Sequence, residues 1–108
     1  MANLDEEVAR CNGWVDYPTD SVEHGRYWHM DPTKAPFGAI CRKEHYAPSR
    51  DWTTGGPIIE RERIEVSPGV TDGDLAWSAW IYGRGVFHHG PTPLIAAMRA
   101  YVALRGAE

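Results

Sequence analysis

The residue types able to do chemistry are present in this chain, but few stand at a spacing that a reaction requires. Ser21, Ser49, Ser67 and Ser78 lie in no nucleophile-elbow pattern, which needs a serine on a tight Gly-x-Ser-x-Gly turn. Cys41 and His45 would place a thiol beside a base if the segment were helical, and with His88-His89 they supply four metal-ligand types. A zinc site wants a second closely spaced Cys or His pair of the usual kind, and none is present, so no metal is expected. Gly83-Arg84-Gly85 lacks the third glycine of a dinucleotide loop, and no phosphate-binding P-loop occurs. His88-His89 precede a helix and could serve acid–base work, although such a pair is more often a capped, half-exposed turn. No catalytic set emerges, so an enzyme is not expected, and neither is a cofactor.

The pattern fits binding better. Gly55-Gly56-Pro57 and Gly90-Pro91-Thr92-Pro93 place small residues at expected helix starts, where free backbone N–H groups attract phosphate or carboxylate. Arg50, Arg61 and Arg84 stand near these starts or the adjoining turn, where a guanidinium can hold a phosphate through two hydrogen bonds. Trp52, Trp77 and Trp80 offer flat apolar surfaces for a nucleobase, each worth roughly 1–3 kcal/mol per stacked base. The candidate ligand-binding set is therefore Arg50, Trp52, Gly55, Gly56, Arg61, Trp77, Trp80, Arg84, His88, His89 and Thr92. Against it stands the ordinary role of tryptophan as core and of Gly-Pro steps as turns.

The elements that must position these residues are partly legible. Residues 3–12 predict a helix: Asn3 caps it, Asp5, Glu6 and Glu7 suit its first turn, and Leu4, Val8 and Cys11 share a face. Trp14–Tyr17 and Arg26–Met30 predict strands, with a third at Phe37–Ile40, in a loop-rich stretch broken by Pro18, Pro32, Pro36 and Pro48. Pro57 suits a first helical position, so a short helix is expected at 57–63, followed by an extended segment through Ile64 and Val66. From Asp74 the chain predicts a strand with Trp77, Ala79 and Ile81 on one face and Ala76, Trp80 and Tyr82 on the other. Gly83-Arg84-Gly85 turns it into Val86-Phe87-His88. Thr92 and Pro93 then begin a helix with an apolar stripe of Leu94, Ile95, Met98, Tyr101 and Val102, stopped by Gly106. The sum is an α+β fold: a small antiparallel sheet packed by an amino-terminal and a carboxyl-terminal helix, with a loop-rich middle.

Composition narrows the classes. The chain has 108 residues, a length expected to make a single compact domain over 1–108. Eleven Gly, eight Pro, five Trp and five Tyr are dense for that length, while 43% hydrophobic and 24% charged residues are ordinary. No apolar run approaches the roughly 20 residues of a membrane span, so no membrane role is expected. The net charge is −4, and residues 1–54 hold six basic against nine acidic side chains, residues 55–108 five against six. Neither half carries the basic footprint of a nucleic-acid binder. Any anionic ligand must therefore meet a local arginine cluster.

Two segments carry a resemblance. Residues 51–62, beginning Asp51-Trp52-Thr53-Thr54-Gly55-Gly56-Pro57, and residues 90–102, beginning Gly90-Pro91-Thr92-Pro93, occur in that order around a tryptophan-bearing strand. Over roughly 52–103, with support from Tyr46-Ala47-Pro48-Ser49, the chain resembles the NinX-like family of small bacteriophage proteins. Residues 14–45 contribute nothing to it. The resemblance implies a phage gene expressed in the host cytoplasm, which agrees with an acidic amino terminus lacking the apolar stretch of a secretory signal. It implies no chemistry. By analogy of context, the expectation is a non-enzymatic, homo-oligomeric anti-defence sponge that sequesters a nucleotide-derived immune signal. The alternatives are an interaction module that blocks a host protein, or a small enzyme acting on a nucleotide.

Overall fold

The computed structural model describes residues 3–16, 26–30, 40–71, 73–83 and 87–106. They fall into two compact units, residues 1–47 and residues 48–108.

In the first unit, α1 spans Leu4–Cys11. The Asn3 side chain accepts from the Glu6 N–H at 2.8 Å, satisfying a donor that the helix start would leave open. Val8 and Ala9 are buried, and Gly13 takes φ +92° just past the Asn12 cap. Strands β1 (Val15–Asp16), β2 (Tyr27–His29) and β3 (Ile40–Arg42) form an antiparallel sheet in that order. Trp28 pairs with Cys41 in register and is 1% exposed. Lys43 Nζ lies 4.2 Å and the Arg10 guanidinium 5.1 Å from its ring centre, a cationic cover typical of a tryptophan. Asn12 donates to the Tyr46 hydroxyl at 2.7 Å. Tyr17 and residues 37–39 of the expected strands lie outside the described residues.

The second unit holds α2 (Trp52–Glu62), the antiparallel sheet β4 (Ile64–Thr71), β5 (Asp74–Ile81) and β6 (Phe87–Gly90), and α3 (Pro93–Gly106). Ile64 pairs with Ile81, and Ala79 with His88. That face of the sheet carries α3, with Ala79, Ile81, Leu94, Met98 and Tyr101 buried between them. The expected α3 stripe is incomplete. Ala96, Ala97 and Ala100 are also buried, because small side chains let the helix lie close on the strands. Thr92 caps α3 as expected, its Oγ1 accepting from the Ile95 N–H at 3.1 Å.

One element departs from expectation. The helix expected at 57–63 starts five residues earlier, capped by Asp51, whose carboxylate accepts from the Thr53 N–H at 3.0 Å. Pro57 therefore sits inside the helix, where its ring would clash with a preceding Cβ. Gly56 has none, which removes that part of the crowding, while the helix forgoes the hydrogen bond that another residue would donate to the Thr53 carbonyl. Arg63 ends it in the left-handed conformation, φ 53°, and the chain enters β4 at the next residue. No helix among the described residues is long and apolar enough to cross a membrane.

Candidate functional site

The outer face of the β4–β5–β6 sheet, opposite α3, is the most distinctive surface of the second unit. Alternation along β5 sends Ala79 and Ile81 inward, so Ala76, Ser78 and Trp80 point outward. Register places Glu65 and Phe87 on either side of Trp80, and Ser67 and His89 on either side of Ser78. Directly opposed side chains in an antiparallel pair stand about 4.5–5.5 Å apart at Cβ, so these rows are contiguous.

The aromatic row is built around Trp80. Its ring stacks on Phe87 with centres 6.1 Å apart and planes at 22°, and meets Tyr82 edge-on at 5.8 Å and 73°. Phe87 is 57% and Tyr82 81% exposed. A groove of about 320 Å³ opens beside them, lined by Arg63, Glu65, Trp80 and Tyr82. Among the described residues, neither the Arg63 guanidinium nor the Glu65 carboxylate has a hydrogen-bond or ion-pair partner. Two opposite charges thus flank an aromatic corner, neither of them engaged by another described residue.

The next row holds a polar pair. Ser78 Oγ and His89 Nδ1 share a hydrogen bond of 3.0 Å, and the His89 carbonyl accepts from Arg99 at 2.8 Å. A hydroxyl beside an imidazole begins a nucleophile–base arrangement, which a third group orienting the ring would complete. Among the described residues that ring has no second partner. Cys41 and His45 do not share a helix, since Cys41 is in β3 and His45 ends a 3₁₀ turn at Lys43–His45. Burial pushes the Cys41 thiol above its ordinary pKa, the opposite of the shift that activates a nucleophilic cysteine. No three His, Cys, Asp or Glu side chains gather as metal ligands among the described residues.

The expected ligand-binding residues disperse. Trp80 and His89 share the outer face; Trp77 and His88 are on the α3 face, paired in register with Gly90 and Ala79. The anion cradle expected at Gly55-Gly56 does not form, because both glycines lie within α2 and the Gly55 N–H is bonded to the Asp51 carbonyl at 2.8 Å. A Cβ on Gly55 would stand 2.4 Å from the Pro48 carbonyl oxygen and 2.7 Å from Leu94 Cδ2. Gly55 is thus a packing contact. Gly90 is likewise the buried end of β6, closing on the Ala96 N–H of α3. Thr92 uses its hydroxyl as the cap. Arg61 donates to the buried Tyr101 hydroxyl at 3.2 Å, and its guanidinium lies 5.7 Å from that ring. Trp52 opens α2 at 56% exposure and Arg50 is exposed in the turn before it; neither lines the groove beside Trp80. Arg84 lies outside the described residues.

Arg63, Glu65, Tyr82 and Phe87 were not in the expected set. Tyr82 was within reach, since alternation already puts it on the face of Trp80. Glu65 and Phe87 depend on strand register, and Arg63 on the left-handed end of α2.

A family model described as Bacteriophage P22, NinX matches residues 2–105, nearly the whole chain. The match takes in residues 14–45, where the resemblance had no support. No curated protein and no solved structure matches the chain.

Proposed function

The chain belongs to the Bacteriophage P22 NinX family, and from that premise we propose that it is a non-enzymatic binding protein for a nucleotide-like small molecule. The observation that carries this is the groove of about 320 Å³ where Trp80 and Tyr82 meet Arg63 and Glu65, two charges with no hydrogen-bond or ion-pair partner among the described residues. Its volume falls at the small end of ligand sites, a fit for one base and its sugar. The rings supply stacking, and the two charges supply polar contacts that orient the ligand. The groove is open, so one copy covers a ligand on one side only. Exposed Tyr82 and Phe87 supply apolar area with which a second copy closes the other side. In a host cytoplasm such a homo-oligomer acts as an anti-defence sponge, holding a nucleotide-derived immune signal without converting it.

Thermal unfolding with 5′-mononucleotides, cyclic dinucleotides and ADP-ribose tests this. A ligand present at 100 times its Kd adds about 2.7 kcal/mol of stability, and it should be recovered intact after denaturation. Trp80→Ala should abolish the shift, and Tyr82→Ala should weaken it by roughly 1 kcal/mol while leaving the fold unaffected. A flat response to all of these compounds refutes the proposal, and recovery of a converted compound replaces it with an enzyme. The exposed Tyr82 and Phe87 are also the residue types that anchor protein interfaces. An inert screen together with stoichiometric capture of one host protein, lost in Phe87→Ala, would make the chain a blocking module instead.

A further inference from the structure

We infer that the groove selects guanine among the bases, an inference that rests on the nucleotide-binding role proposed above. Trp80 and Tyr82 are indifferent to base identity, because every base has a face to stack. Discrimination must come from Arg63 and Glu65, the two polar side chains that line the groove with them.

An ionised carboxylate only accepts hydrogen bonds, and it accepts two side by side. Glu65 therefore calls for two adjacent donors on one edge of a planar ring. Guanine has them in N1–H and the exocyclic N2 amino group; adenine presents one amino group beside a bare ring nitrogen. A guanidinium only donates, and the O6 and N7 acceptors of guanine are the standard partners of an arginine fork. Adenine in the same pose would set its N6 amino group against the donors of Arg63 and its N1 lone pair against the Glu65 carboxylate. Both mismatches leave groups unpaired or repelling.

Position supports the assignment. Glu65 stands directly across the ladder from Trp80, so a base lying against Trp80 brings an edge to the carboxylate. Arg63 is two residues back along the chain and lines the same groove. Neither side chain is engaged elsewhere among the described residues, so binding breaks no ion pair among them. Their charges cancel, leaving the groove neutral, which suits a neutral base and sends the phosphate outward toward solvent.

Calorimetric titration of the intact protein with guanosine, inosine and adenosine 5′-monophosphates tests the inference. Guanosine monophosphate should bind at least about tenfold tighter than adenosine monophosphate. Inosine monophosphate, lacking the N2 amino group, should fall between them. Glu65→Gln, an isosteric change at an exposed position, should weaken guanosine monophosphate binding and relieve the repulsion on adenosine monophosphate, so that the preference shrinks at least severalfold. Equal affinity for the guanine and adenine nucleotides overturns the guanine assignment and leaves nucleotide binding standing. So does a preference left undiminished by Glu65→Gln. Failure of all three to bind wild-type protein overturns both.

Discussion

Adjacent glycines in α2 should respond differently to the same substitution. In isolation, Gly→Ala inside a helix stabilises by roughly 0.5–1 kcal/mol, since alanine loses less backbone freedom on folding. At Gly55 that gain meets a wall. The new Cβ would lie 2.4 Å from the Pro48 carbonyl oxygen, about 1 Å inside ordinary contact, and 2.7 Å from Leu94 Cδ2. Leu94 is 3% exposed and Pro48 is fully buried, so neither has free space to move into. Tilting α2 outward instead would expose Ile58, now 3% exposed, whose burial is worth roughly 1.5–3 kcal/mol. Overpacking of this kind costs about 1–3 kcal/mol, so Gly55→Ala should lose about 1–2 kcal/mol net. At Gly56 the nearest atom to a new Cβ is Trp52 Cε3 at 4.0 Å, and only the preceding-proline clash opposes the helix gain. Gly56→Ala should therefore fall within about 0.5 kcal/mol of wild type. Urea unfolding followed by circular dichroism gives both values, and an unchanged m-value confirms that folded-state stability is being compared. Equal losses at the two positions would refute the steric account and place the cost in the helix backbone. A stabilised Gly55→Ala would refute the packing itself.

Further tests address the anchoring of α3 and the acid limb of stability. Tyr101→Phe removes the hydroxyl that accepts from Arg61 at 3.2 Å and keeps the ring beside the Arg61 and Arg105 guanidinium groups. It should cost about 1 kcal/mol in urea unfolding; a variant as stable as wild type would mean the hydroxyl is equally well solvated when unfolded. In the first unit, the Lys43 ammonium donates to Asp16, and Arg10 assists at 3.4 Å. The Lys43 hydrogen bond, opposed by some desolvation, holds the Asp16 carboxyl below its ordinary 3.8. The folded state thus favours the carboxylate: its contribution is complete above that ordinary value and is lost as pH falls below it. The pair is partly exposed, so the amount should be under about 1 kcal/mol. Asp16→Asn should lower stability at pH 6 and not at pH 2. An equal loss at both values would show that charge is not the cause.

How much of this was legible in the residues follows from where each signal resides. Asn3 with Glu6, and Thr92 with Pro93, are local signals: a cap and its partner lie within one turn, so spacing alone places them. The alternation of Trp77, Ala79 and Ile81 against Trp80 and Tyr82 is equally local, and it put tryptophan on both faces of one strand. The start of α2 was not legible, because Thr53, Thr54, Gly55 and Gly56 are weak helix formers and Pro57 resembles a beginning. What holds that turn is Asp51 at the cap and the closeness of Gly55 to Pro48 and Leu94, residues distant along the chain. The same contact changed the meaning of the glycines from anion cradle to packing surface.

The candidate site divides along the same line. The residues alone determined an α+β chain with two capped terminal helices and a Trp80 on the strand face opposite Trp77, since caps and periodicity are properties of neighbours in sequence; which of the two faces is outward, the packing of α3 decided. Tertiary structure decided which charges stand beside that ring. Arg50, Arg61 and Arg84 are near the expected helix starts in sequence, yet Arg61 is drawn to Tyr101, and Arg63 and Glu65 line the groove instead. The cause is register. Pairing Ile64 with Ile81 puts Glu65 across from Trp80, and a slip of one residue would turn the carboxylate to the other face of the sheet. Burial of Ile64 and Ile81 beneath α3 prevents that slip, and it is a property of the folded unit alone.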